Sequence, residues 1–215
     1  WKGERFTPAY GTPIAFTANG RKLIAVMKTE GLAVLEATNG KTVATTPWKT
    51  SFDTTATTPI VQDGLIFIST GYDRGCALLE LADGELKKRY EHKAMCNHMN
   101  NSVLFDGHLY GFDGTAHRGR PTEFVCLEFA TGKEKWRVPA SVGLGCGSVM
   151  ATADGTLLIL SERGELLAAP ATPMGFKSTA RHQVLGGRCW TASVLAGGRI
   201  FCRNARGDLV CVKVE

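Results

Sequence analysis

The chain has 215 residues, 44% of them hydrophobic and 21% charged. That balance excludes a disordered or collagen-like polymer, and no apolar run reaches the ~18 residues of a membrane-spanning helix. A net charge of +5 without any Lys/Arg block points to an ordinary solvated surface and not to a nucleic-acid tail.

In chain order, five segments repeat one plan. They are TANGRKLIAVMKTEGLAVLEATNG, VQDGLIFISTGYDRGCALLELADG, LFDGHLYGFDGT with EFVCLEFATG, ATADGTLLILSERGELLAAPATPMG, and LAGGRIFCRNARGDLVCVKVE. Their first turn glycines, Gly20, Gly64, Gly107, Gly155 and Gly198, are spaced 44, 43, 48 and 43. Their later glycines, Gly40, Gly84, Gly132 and Gly175, are spaced 44, 48 and 43. A five-residue insertion within residues 113–122 accounts for the one irregular interval.

Each unit reads as short apolar or alternating runs separated by x-G turns, which is strand and hairpin behaviour. A fourth run follows the third turn, as in KEKWRVP at 133–139. Four antiparallel strands per ~43 residues make one β-propeller blade. The predicted fold class is therefore all-β, a β-propeller of four-stranded antiparallel blades. The expected organisation is one domain over 1–215, with repeats at 12–48, 57–91, 100–139, 147–184 and 191–215. Trp1 precedes Gly20 by 19 residues, as Trp136 precedes Gly155, so Trp1 reads as an outer-strand residue of a preceding blade. The fifth unit stops before its third turn. These ends predict a fragment of a larger ring; a closed five-bladed ring would instead place residues 1–6 beside 208–214.

The units DGHLYGFDGT, FVCLEFATGKEKW and ADGTLLILSERGELLAA resemble pyrroloquinoline-quinone-like (PQQ-like) propeller repeats. The resemblance covers nearly the whole chain and is strongest in the third unit. It implies the C-terminal blades of a ring of seven or eight. The family includes quinoprotein alcohol dehydrogenases, a lipoprotein of the outer-membrane barrel-assembly machinery, and secreted bacterial proteins. A bacterial periplasmic or extracellular location follows from the resemblance. Only Trp136 fills the family's docking-tryptophan position after T-G; Ala44 and Lys88 stand there in the first two units. The adjacent Cys-Cys pair expected of a quinoprotein dehydrogenase is absent from the sequence.

In this blade plan one end of the blades gathers the chemistry. It collects His98, Asn100 and Asn101, then Arg188 and Trp190. Turns add Arg74, the insertion residues His117, Arg118 and Arg120, and Arg203. Arginine offers bidentate donors to carboxylate or phosphate, and tryptophan offers a stacking plate. The insertion is expected to protrude as a loop on this face. The reading is a non-enzymatic binding or scaffold module with a polar, basic funnel for a protein partner or a small polar or anionic ligand. No cofactor, metal or nucleic acid is expected, His98 lacks neighbours at metal-ligand spacing, and catalytic residues are unassigned. The alternative is a PQQ-dependent alcohol or sugar dehydrogenase with PQQ and calcium.

Seven cysteines include no C-x-x-C pair, and most sit in apolar runs, so they are expected as buried thiols. A two-residue turn at Arg206-Gly207 would place Cys202 opposite Cys211, close enough for a disulfide. Packed free thiols are the competing expectation.

Overall fold

A computed structural model describes residues 1–116 and 118–214. Its strands form five antiparallel sheets, each an up-and-down meander. The first comprises β1 (Ile14–Ala18), β2 (Arg21–Lys28), β3 (Gly31–Glu36) and β4 (Thr42–Pro47). The second comprises β5 (Ile60–Gln62), β6 (Leu65–Thr70), β7 (Gly75–Ala82) and β8 (Glu85–His92). The third comprises β9 (Val103–Phe105), β10 (His108–Thr115), β11 (Arg118–Glu128) and β12 (Glu134–Val138). The fourth comprises β13 (Ser148–Ala151), β14 (Thr156–Leu160), β15 (Glu165–Pro170) and β16 (Ala180–Gln183). The fifth has three strands, β17 (Val194–Ala196), β18 (Arg199–Arg203) and β19 (Leu209–Lys213). The all-β blade architecture expected from the repeat is thus present.

The x-G pairs close the hairpins by the expected means. Asn19-Gly20, Asp63-Gly64, Asp83-Gly84, Asp106-Gly107 and Gly197-Gly198 all have positive φ at both residues. That is the type I′ turn, whose twist matches the flanking strands.

The chain divides into two compact units, 1–98 with 130–132, and 99–129 with 133–215. In the first unit, alternate residues of β2 (Leu23, Ala25, Met27) meet Ile66 and Ile68 of β6, with Leu32, Val34, Leu79 and Trp48 filling the same core. In the second unit, Tyr110, Phe112, Phe124 and Cys126 pack on Leu157, Ile159 and Leu167. The other face of the fourth sheet, Leu158 and Leu160, packs on Ile200, Cys202 and Cys189. The period-2 pattern of each strand assigns one set of side chains to each face. Burying each large apolar side chain stabilises by about 1.5–3 kcal/mol.

A β-bulge recurs at the same repeat position in three sheets, at Val34/Leu35, Leu78/Leu79 and Cys126/Leu127. Beside it Trp136 pairs with Cys126 and its indole N–H donates to the Thr172 carbonyl at 2.8 Å, 36 residues on. Trp1 does the same to the Ala37 carbonyl at 2.9 Å, also 36 residues on, and its ring covers Gly40. In the second sheet the residue opposite Leu78 is Tyr90, not Lys88. The Asp83-Gly84 turn pairs Ala82 directly with Glu85, which lengthens the hairpin and moves the docking position along. Tyr90 and His92 stack at 5.0 Å and lie against Gly132.

His92 is half-buried. Its Nδ1 accepts the Ala94 N–H at 3.2 Å and lies 3.6 Å from the Cys76 sulfur. Burial lowers its pKa below the ordinary value near 6.5. The neutral ring is therefore the folded form, while the unfolded chain takes up a proton first as pH falls. Stability contributed by neutral His92 is present above the unfolded pKa and is lost as pH falls through the folded one. We expect the stability difference between His92→Phe and the parent to shift in favour of the variant between pH 7 and pH 5.5 in urea titrations. A pH-independent difference would contradict this.

Two expectations are corrected. The described residues of the insertion are strand rather than loop: they extend the β10–β11 hairpin, with Thr115 paired to Arg118 and a register shift after Asp113. Asp113 is 0% exposed and Thr115 and Ala116 are buried. Cys202 does not face Cys211: Cys202 pairs with Val210 and Phe201 with Cys211. The turn holds three residues between Asn204 and Asp208, closed by Asn204 N–H to Asp208 O at 3.1 Å, with Gly207 at φ 91°. The odd loop length shifts the register by one, so Cys202 is buried and Cys211 exposed on the other face. Both are free thiols.

Candidate functional site

The residues expected at one face divide between the two units, and each set stands in its own surroundings. In the first unit the β6–β7 turn, 71–74, carries Tyr72 and Asp73 at φ 58° and 57°. Left-handed backbone is unusual for a bulky residue and marks a turn held by its neighbours. It sets the Tyr72 ring between Phe52, at 4.6 Å, and His98, edge-on at 4.9 Å. His98 also covers Gly71, so close that a Cβ there would meet its ring at 2.9 Å. Phe52 is 50% exposed. Arg74 lies over the Trp48 ring at 3.4 Å and donates to Glu91 at 2.7 Å. The buried Trp48 indole N–H is spent on the Thr70 hydroxyl at 2.9 Å. Arg74 is thus held on both sides, and a carboxylate already occupies it.

In the second unit the hub is Glu162, which the sequence reading missed. One carboxylate oxygen accepts the Trp190 indole N–H at 3.0 Å and the other accepts the Cys146 backbone N–H at 3.1 Å. Gly145 is required beside it, since a Cβ there would fall 2.4 Å from a Glu162 oxygen. Backbone bonds tie the neighbouring loops to the same place: Glu162 N–H to Leu144 O, Cys189 N–H to Glu162 O, and Ala205 N–H to Arg188 O. Asn100 donates to the carbonyls of Gly147 at 2.8 Å and Trp190 at 3.3 Å. On this frame Arg188 lies over the Trp190 ring at 4.2 Å and is exposed. Arg206, at the tip of the last turn, lays its guanidinium over Gly186 and Gly187, next to Arg188.

The remaining candidates fall elsewhere. Asn101 is exposed. Arg203 is the last residue of β18, paired with Leu209, and not part of the turn. Arg118 and Arg120 are strand residues of β11, and His117 lies outside the described residues.

The thiols near these groups are poor nucleophiles. Burial, with the Glu162 carboxylate adding, pushes the Cys146 thiol up to about 12. Burial pushes Cys126 and Cys202 up to about 11. A thiolate, not a thiol, is the reactive form.

No protein-family model matches the sequence, and no curated protein matches it. Solved structures do match. BamB from Moraxella catarrhalis is 14% identical with a TM-score of 0.68, covering 97% of this chain and 60% of that one. Quinohemoprotein alcohol dehydrogenase from Comamonas testosteroni is 12% identical with a TM-score of 0.67, covering 97% and 43%. Quinohemoprotein alcohol dehydrogenase ADHIIG from Pseudomonas putida HK5 is 12% identical with a TM-score of 0.71, covering 100% and 43%. The chain therefore spans less than two thirds of the length of each. At such identities the likeness is one of fold, and the fold of this chain is that of the PQQ-like β-propellers.

Proposed function

We propose that the chain is a non-enzymatic binding module whose exposed, basic loop ends receive an acidic segment of a protein partner, in the periplasm or outside the cell. The observation that carries this is Arg188. It is an exposed guanidinium laid on the Trp190 ring, with no carboxylate partner among the described residues. Stacking orients a guanidinium while leaving its N–H edge open, which suits bidentate recognition of carboxylate. The Glu162–Trp190–Cys146 network fixes the plate, so little side-chain entropy is lost on binding. Likeness to BamB is compatible with this reading.

The likeness to two dehydrogenases favours a second reading, a quinone-dependent alcohol oxidation. The residues here do not fit that cofactor well. Trp190 carries Arg188 on its ring, and Glu162 spends both oxygens on protein N–H groups. Among the described residues no group of three His, Cys, Asp or Glu stands together for a cation. No step through a quinone is therefore assigned.

The test is a titration with a Glu-rich decapeptide followed by Trp fluorescence. The parent should bind with an affinity that falls as salt rises, and Arg188→Glu should weaken binding at least tenfold without shifting the unfolding midpoint. Equal binding by the variant, or binding unaffected by salt, would overturn the reading.

A further inference from the structure

A cleft of about 380 Å³ opens in the second unit, away from Arg188 and Trp190, along the outer strand β12. Its floor is aromatic: the rings of Trp136 and Phe176 lie 5.8 Å apart. Val138, Pro139 and Val142 form the apolar side, and Val142 is 43% exposed on a single 3₁₀ turn. Its charged lining residues are Arg137, Lys177 and Arg181, and no carboxylate among the described residues lines it. The carboxylates that orient two of these cations stand outside the lining. Arg137 is gripped by Asp113, Glu123 and Glu134.

Arg181 presents Nε and Nη2 to Glu165 at 2.7 and 2.6 Å. A guanidinium has five N–H donors, so the Nη1 edge of Arg181 is left over. Lys177 is exposed and makes no ion pair among the described residues. Ser178 adds a hydroxyl to the lining.

We propose that this cleft binds a small amphipathic carboxylate, its apolar body on Trp136 and Phe176 and its carboxylate on Lys177 and the open edge of Arg181. An apolar hollow of this size with a few convergent polar groups is the usual form of a small-ligand site. Here the charged lining groups are all cationic, which sets the ligand's charge. The proposal is independent of the binding-module reading, because none of its residues belongs to the Arg188 loop ends.

The probe is octanoate, with octanol and octylammonium as its neutral and cationic counterparts. Binding is read by calorimetry and by the Trp136 indole N–H signal in two-dimensional NMR. An anion of ten heavy atoms should saturate the parent in the millimolar range. Octanol and octylammonium should bind at least tenfold more weakly. Lys177→Glu should weaken octanoate at least tenfold, as should Val142→Asp on the apolar side. Both positions are exposed, so the unfolding midpoint should hold. Arg188→Glu should leave octanoate binding unchanged while weakening peptide binding at least tenfold. Failure of octanoate to saturate, octanol binding as tightly as octanoate, or an unaffected Lys177→Glu would each overturn the proposal.

Discussion

Replacing Arg137 by methionine should destabilise the second unit by about 3–5 kcal/mol, the cost of removing one member of a buried ion pair. Asp113 is 0% exposed, and Arg137, itself only 24% exposed, donates to it at 2.6 Å while also holding Glu123 at 2.8 Å. Asp113 stands where the β10–β11 register shifts, in a strand whose residues from Leu109 to Thr115 are all buried. The double variant Arg137→Met with Asp113→Asn should recover part of the loss, because the buried carboxylate charge that Arg137 faced is removed with it. The exposed pair Lys87–Asp83 should show no measurable change on Lys87→Ala. Urea denaturation measures all three. An Arg137→Met chain as stable as the parent would show that the cluster contributes nothing net.

Gly31→Ala should cost at least about 3 kcal/mol, combining backbone strain of ~1–3 kcal/mol with a steric clash. Gly31 has φ 150°, and an added Cβ would fall 2.0 Å from the Thr46 carbonyl oxygen and 2.7 Å from the Trp48 nitrogen. Relief requires β3 and β4 to part just where Trp48 enters the core and donates its backbone N–H to Glu30 at 2.9 Å. Gly20 is the control. It also has positive φ, but nothing lies within 4 Å of its added Cβ, so Ala there should cost only ~1–2 kcal/mol. Equal urea midpoints for the two variants would contradict the clash.

The strands and most turns were legible because their signals are local. Period-2 apolar runs and x-G pairs state the hairpin and its two-residue turn without reference to the rest of the chain. Loop length is less legible, because it is set by side-chain contacts within the turn. Arg206-Gly207 reads like a two-residue turn, yet the Asn204 side chain accepts N–H bonds from Arg206 and Asp208, both at 3.0 Å, and builds a three-residue one. That single residue moved Cys211 to the opposite face from Cys202. Likewise the family spacing pointed to Lys88, but the tighter Asp83-Gly84 hairpin delivered Tyr90 to the docking position.

Of the candidate site, Arg188, Trp190 and Asn100 could be found from residue type and repeat position. Glu162 could not, since a turn glutamate reads as solvated. Its importance comes from an indole 28 residues away and a backbone N–H 16 residues away.

The most direct measurement of the central claim is turnover with the quinone. The protein would be incubated with pyrroloquinoline quinone and calcium, and an artificial dye acceptor followed across a panel of primary alcohols and sugars. Reading the chain as a binding module predicts dye reduction no faster than in the protein-free control. Saturable, substrate-dependent dye reduction that requires both the quinone and the protein would contradict it.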